Sequence, residues 1–183
     1  MSWLWIVLIV GALVGVVFWM YNRLVSLKNQ AEEAWSDIEA QLKRRHNLIP
    51  NLVSTVKGYA SHERATLDSV TAARTRAMAA DTPAQHAAAE NALSSTLKTL
   101  FAVSESYPDL KANANFLELQ RELSDTEDKI LASRRFYNTT VRDLNTAIES
   151  VPTNVIANMF SFKKREFFEL DDEAARAVPN VSF

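Results

Sequence analysis

The chain has 183 residues, 48% hydrophobic and 23% charged, with 20 basic and 22 acidic side chains and a formal net charge of -2. That length suits one domain beside an apolar N-terminus, and charges mixed along the chain offer no field for a polyanion, so nucleic acid is not an expected partner. The absence of Cys excludes disulfides, thiolate catalysis and cysteine-ligated zinc or iron-sulfur centres.

No side chain from Met1 to Asn22 is charged, and Trp3 to Tyr21 is almost wholly apolar. At about 1.5 Å per residue this stretch reaches roughly 29 Å, the thickness of bilayer hydrocarbon. Trp3 and Trp5 mark one end and Trp19 and Tyr21 the other, where amphipathic rings favour the headgroup level. No basic n-region or small-x-small cleavage site is present, which predicts a retained anchor rather than a signal peptide. Arg23 and Lys28 follow the span and no Lys or Arg precedes it, so the positive-inside rule places the N-terminus outside and the remaining chain in the cytoplasm. Gly11 and Gly15 form a GxxxG, a spacing that lets two helix backbones approach in lipid, and self-association through this face is expected.

The apolar period continues through Leu24, Leu27, Ala31, Ala34, Ile38 and Leu42, so the span is predicted to run on into the first soluble helix. Ile49, Leu52, Val56 and Tyr59 resume it around Pro50, where a kink or a new turn is expected, and Gly58 offers a stop or a point of close packing. A second helix is predicted over 62–79. Thr82, Pro83 and Gln85 give a capped start for a third, ending before Tyr107-Pro108. Asn115 and Glu118 mark the start of a fourth, whose apolar positions keep three-four spacing to Ile148, with an end near Ser150 before Pro152. A helix of about 50 Å is stable in water only if its stripe is covered, and the first soluble helix is the matching partner. The expected architecture is all-α: one transmembrane helix continuing into an antiparallel up-and-down four-helix bundle with very long first and last helices. Its parts are an anchor over 1–22, the bundle over 23–160 and a Phe/basic tail over 161–183.

Three groups of residues, spread in order along nearly the whole chain, carry a family resemblance. The first comprises Tyr21-Asn22-Arg23-Leu24-Val25, Ala34-Trp35-Ser36-Asp37-Ile38 and the run from Gln41 to Val53. The second comprises Val56-Lys57-Gly58-Tyr59-Ala60, His62-Glu63, Tyr107-Pro108-Asp109-Leu110, Asn113 to Leu117 and Glu122-Leu123. The third comprises Tyr137-Asn138, Pro152 to Ala157 and Phe160 to Phe168. Together they resemble the LemA family. The resemblance implies a bacterial inner-membrane protein with a short outer N-terminus, one span and a cytoplasmic helical bundle. It implies an accessory or scaffolding role, associated in some members with membrane-bound zinc metalloproteases of the heat-shock type, and it carries no catalytic residues onto this chain.

The residues themselves mark no cofactor, metal or catalytic site: no HExxH, no ExxH of the di-iron type and no Gly-rich phosphate loop is present. His86 and Glu90 share a helix face and read as an exposed pair. Lys43, Arg44, Arg45 and His46 read as a solvated helix face. Alternatively Arg44, Arg45, His46, Asn47, Pro50 and Asn51, with Gly58 and Tyr59, form a partner surface. Trp35 and Phe136 read as core. Phe162, Lys163, Lys164, Arg165, Phe167 and Phe168 combine rings with cations in a pattern suited to a membrane surface, the alternative being that the rings cap the bundle. The leading expectation is a non-enzymatic, self-associating membrane scaffold that engages membrane proteins or the bilayer. The alternatives are a membrane-remodelling polymer, a regulator of a membrane-bound metalloprotease, and a cofactor-binding bundle or enzyme.

Overall fold

The structure, a computed structural model, describes residues 2–169. Six α-helices occur among them: α1 Ser2–Tyr59, α2 Arg64–Met78, α3 Pro83–Ser104, α4 Pro108–Lys111, α5 Ala114–Glu149 and α6 Thr153–Met159. The expected continuation of the apolar segment into the next helix is present as the single helix α1. The short helices α4 and α6 were not foreseen.

The described residues fall into two compact units, residues 2–39 with 131–167 and residues 40–130 with 168–169. The expected boundaries after residues 22 and 160 both fall inside the first unit. Most of the tail, from residue 170 on, lies outside the described residues.

In the first unit, α1 and α5 run antiparallel. Trp35 packs on Tyr137 at 5.3 Å between ring centroids, while Leu144 shares a hollow with Tyr21, Val25 and Lys28. The three-four stripe of α1 buries Leu24, Ala31, Ala34 and Ile38, and that of α5 buries Tyr137, Val141, Leu144 and Ile148. Each buried Leu or Ile contributes about 1.5–3 kcal/mol. Phe136, read as core, is instead 56% exposed: it stands one residue, about 100° around the helix, from Tyr137, and it is Tyr137 that takes the stripe position.

The second unit draws its core from Leu52 and Val56 of α1, Leu67 and Val70 of α2, Leu93 and Leu100 of α3, Leu110 of α4 and Phe116 of α5. Two of its helices, α3 and α5, start at side-chain caps. Thr82 accepts from the Gln85 amide at 3.2 Å, and the Gln85 side chain accepts from the Asp81 amide at 3.0 Å, one residue ahead of the usual reciprocal bond. Helix α5 is capped by Asn113 rather than Asn115: its side-chain oxygen accepts from the Phe116 amide at 3.0 Å.

Pro50 neither ends α1 nor starts a new turn. A proline has no N–H to give to the carbonyl four residues back, here that of His46. Arg74 of α2 supplies the missing donor, its Nε reaching the His46 carbonyl at 2.7 Å. Arg74→Ala is therefore expected to cost about 1–3 kcal/mol. In a Pro50→Ala background the backbone N–H returns and the same substitution costs about 1 kcal/mol less, a coupling that a double-mutant cycle of urea midpoints measures.

Candidate functional site

Two arrangements carry chemistry beyond apolar packing. The first is a buried polar cluster in the second unit. In α1 the core positions between Leu42 and Ile49 are filled by Arg45 and His46, which are 3% and 7% exposed. In α3 the corresponding place between Ala87 and Leu93 is filled by Glu90, which is 0% exposed. Arg45 donates to Glu90 at 3.2 Å and to the Ser94 hydroxyl at 2.7 Å, and it pairs with Glu127 of α5 at 3.1 Å. His46 Nε2 donates to the other oxygen of Glu90 at 2.6 Å. Both Glu90 oxygens are thus satisfied, as a carboxylate removed from water requires.

This geometry corrects three expectations. Arg45 and His46 are neither a solvated face nor a partner surface, because their side chains are consumed inside the unit. His86 and Glu90 are not an exposed pair: His86 is half-buried, and Glu90 is fully buried against Arg45 and His46 of α1. Of the remaining surface candidates, Arg44 is exposed and pairs with Glu122 at 3.7 Å, while Asn47, Pro50 and Asn51 are exposed. Gly58 is exposed with nothing within 4 Å of where a Cβ would stand, so close packing is not its role there. Tyr59 accepts from Asn113 at 2.9 Å.

The second arrangement is the return of the chain after α6 in the first unit. Ser161, at φ 56°, turns the backbone, and the Phe162 amide donates to the Ala157 carbonyl at 2.9 Å. The next residues run extended along α5. Asn145 brackets Arg165, donating to its carbonyl and accepting from its amide, each at 2.9 Å. The Arg165 guanidinium donates to Glu32 at 2.6 Å, the Tyr137 hydroxyl donates to the Glu166 carbonyl at 2.9 Å, and Lys164 pairs with Glu149. Phe160 and Phe162 lie against Tyr21, with ring centroids 4.7 and 6.0 Å away. A hollow of about 580 Å³ lies among these rings, Lys28, Lys163 and Lys164.

The six tail residues read as a membrane surface are therefore not equivalent. Lys163 and Lys164 are exposed, Phe162 is half-buried, Arg165 is held by Glu32 and Asn145, and Phe167 is 38% exposed. Phe168 is 0% exposed, so its ring lies in the protein interior and not at a membrane surface.

Burial holds the Tyr137 phenol above its ordinary value; Arg165 nearby opposes this, while the Glu166 carboxylate adds to it. A phenol raised by folding contributes stability that is complete below about pH 10 and is lost as pH rises through the raised value. Unfolding midpoints are expected to fall above pH 10, and to fall less in Tyr137→Phe.

Towards the N-terminus, the large apolar side chains from Trp3 to Trp19 are exposed, and nothing lies within 4 Å of a Cβ built at Gly11 or Gly15. The stretch has a mean hydropathy of 2.5 over its most apolar window, none of it buried, and belongs to the one helix among the described residues long and apolar enough to cross a membrane. No group of three or more His, Asp and Glu side chains able to hold a metal ion occurs among the described residues.

These features define a class, an all-helical protein carrying one candidate membrane-spanning helix. The chain belongs to the LemA family, whose model matches residues 34–183. It is 28% identical over 167 residues to Protein LemA of Metamycoplasma hominis, covering 87% of this chain and 75% of that one. It is 25% identical over 189 residues to Magnetosome protein MamQ 2 of Paramagnetospirillum magneticum, covering 89% and 70%. With Magnetosome protein MamQ of Magnetospirillum gryphiswaldense the identity is 24% over 188 residues, covering 88% and 69%.

Proposed function

We propose that this protein is a non-enzymatic, membrane-anchored helical scaffold. In this reading residues 3–21 span the inner membrane with the N-terminus outside, and the rest of the chain forms a cytoplasmic up-and-down four-helix bundle that engages membrane proteins or the bilayer. The observation that carries the proposal is the apolar segment from Trp3 to Trp19, exposed along its whole length. Side chains of that kind are stable only in lipid or against another apolar surface. Arg23 and Lys28 just after the segment support the orientation. Lys163 and Lys164, exposed in the hollow beside Tyr21, suit anionic headgroups.

The open faces of Gly11 and Gly15 support self-association through close helix contact in the span. The native chain has no Cys, so one introduced thiol reports unambiguously. Leu8 lies on the glycine face and Leu13 on the opposite one. Under oxidation in native membranes, Leu8→Cys is expected to form a disulfide-linked dimer that Leu13→Cys does not, and Gly15→Ile is expected to abolish it. Equal yields from both positions, or no dimer from either, contradict the glycine interface.

A further inference from the structure

Among the described residues beyond the span, nine large apolar side chains are exposed, and four of them fall between residues 151 and 160. Val151, Val155, Met159 and Phe160 are 81%, 58%, 67% and 51% exposed. The first three are spaced by four, which sets them along one side of α6 and the turn that leads into it. Its other side buries Ile156 and Ala157. Single exposed apolar residues are ordinary on a protein surface; a contiguous stripe with a buried opposite face marks a contact.

Position identifies the occupant. Phe160, the residue that caps α6, rests on Tyr21 at 4.7 Å, and Tyr21 is the last ring of the apolar run. The stripe therefore ends where α1 leaves its lipid-suited segment. Cations surround that level: Arg23 lies over the Trp19 ring at 5.6 Å, and Lys28, Lys163 and Lys164 line the hollow beside Phe160. An apolar stripe bordered by cations at the end of a membrane span matches the headgroup and acyl boundary of an anionic bilayer.

We infer that α6 is an interfacial membrane contact, with Val151, Val155, Met159 and Phe160 entering the boundary layer of an anionic bilayer while Lys163 and Lys164 meet its phosphates. The inference rests on the reading that residues 3–21 span the membrane. It gives the protein a second attachment that fixes how the first unit is tilted and rotated at the bilayer surface, something a single span does not set.

The test uses the full chain in vesicles of phosphatidylcholine and phosphatidylglycerol, carrying one environment-sensitive fluorophore at a time on Val155→Cys, Met159→Cys, Leu13→Cys or Ala132→Cys. Quenching by lipids with a shallow nitroxide is expected to be about twofold or more stronger at 155 and 159 than at 132, an exposed position on α5. A deep nitroxide is expected to quench the label at 13. Exchanging phosphatidylglycerol for phosphatidylcholine is expected to weaken quenching at 155 and 159 while leaving 13 unchanged. Deep quenching at 13 with labels at 155 and 159 open to aqueous iodide overturns the α6 contact and leaves the anchor standing. Labels at 155 and 159 shielded from iodide yet indifferent to nitroxide lipid show that a protein covers the stripe, which overturns the lipid assignment. A label at 13 outside lipid overturns the anchor and this inference with it.

Discussion

Glu90→Ala is expected to destabilise the fold by about 3–5 kcal/mol, because it leaves a buried guanidinium and imidazole facing an emptied site. The one carboxylate left to the Arg45 guanidinium is Glu127, 3.1 Å away and 37% exposed. Replacing the whole group should behave differently. The triple change Arg45→Met, His46→Leu and Glu90→Leu exchanges paired charges for apolar volume, and its stability is expected to lie within about 2 kcal/mol of the native chain. Urea denaturation of the full chain in micelles, followed by circular dichroism, reads both variants. A loss below about 1 kcal/mol for Glu90→Ala contradicts a buried network. The comparison also separates roles: if the triple variant folds yet fails to carry out the protein's cellular task, the cluster serves more than packing.

Phe168→Ala is expected to cost about 3–5 kcal/mol, the range for truncating a fully buried aromatic side chain. Its neighbour Phe167 is 38% exposed, and Phe167→Ala should cost well under half as much. The pair decides between two readings of the same ring-rich segment. A structural ring destabilises the fold when truncated, whereas a lipid-facing ring leaves the midpoint in micelles unchanged and weakens only vesicle binding. Equal, small effects at both positions contradict the burial of Phe168.

The helices were legible in the sequence because their signals are local. The three-four stripe of α5 is unbroken from Phe116 to Ile148, and Thr82-Pro83 with Gln85 announces α3 within a few residues. The short helices α4 and α6 lack that signal: four and seven residues are too few to show a period, and α4 begins at a proline and α6 follows one, each of which reads as a stop. The candidate sites were less legible because they depend on contacts between residues far apart in the chain. Arg45 and His46 looked like part of a basic run, and only their place in the register between Leu42 and Ile49 carried the warning that they face inward. Glu90 sits in the same kind of register between Ala87 and Leu93. A charged residue in an apolar period on each of two helices was a signal for a buried pair. Pro50 and Arg74 show the same limit: the proline announces an orphaned carbonyl, but nothing in the chain order says that a side chain 28 residues beyond His46 supplies the donor.

In the tail, composition suggested rings and cations acting together, yet the fold sorts them. Phe168 and Arg165 are spent on the protein itself, while Lys163 and Lys164 remain at the surface. The exposed apolar stripe lies a few residues earlier, at α6, whose seven residues are too few to tell the buried Ile156 and Ala157 from the exposed Val155 and Met159 before the helix is placed.

Anchoring of residues 3–21 in lipid is tested most directly by alkaline carbonate extraction of membranes from cells making the full chain. The native protein is expected to stay in the pellet. A variant with Val10→Arg and Leu13→Arg, each costing about 2.5–3.5 kcal/mol at the centre of a span, should move to the supernatant. Release of the native chain by carbonate, or retention of the double-arginine variant, contradicts the anchor.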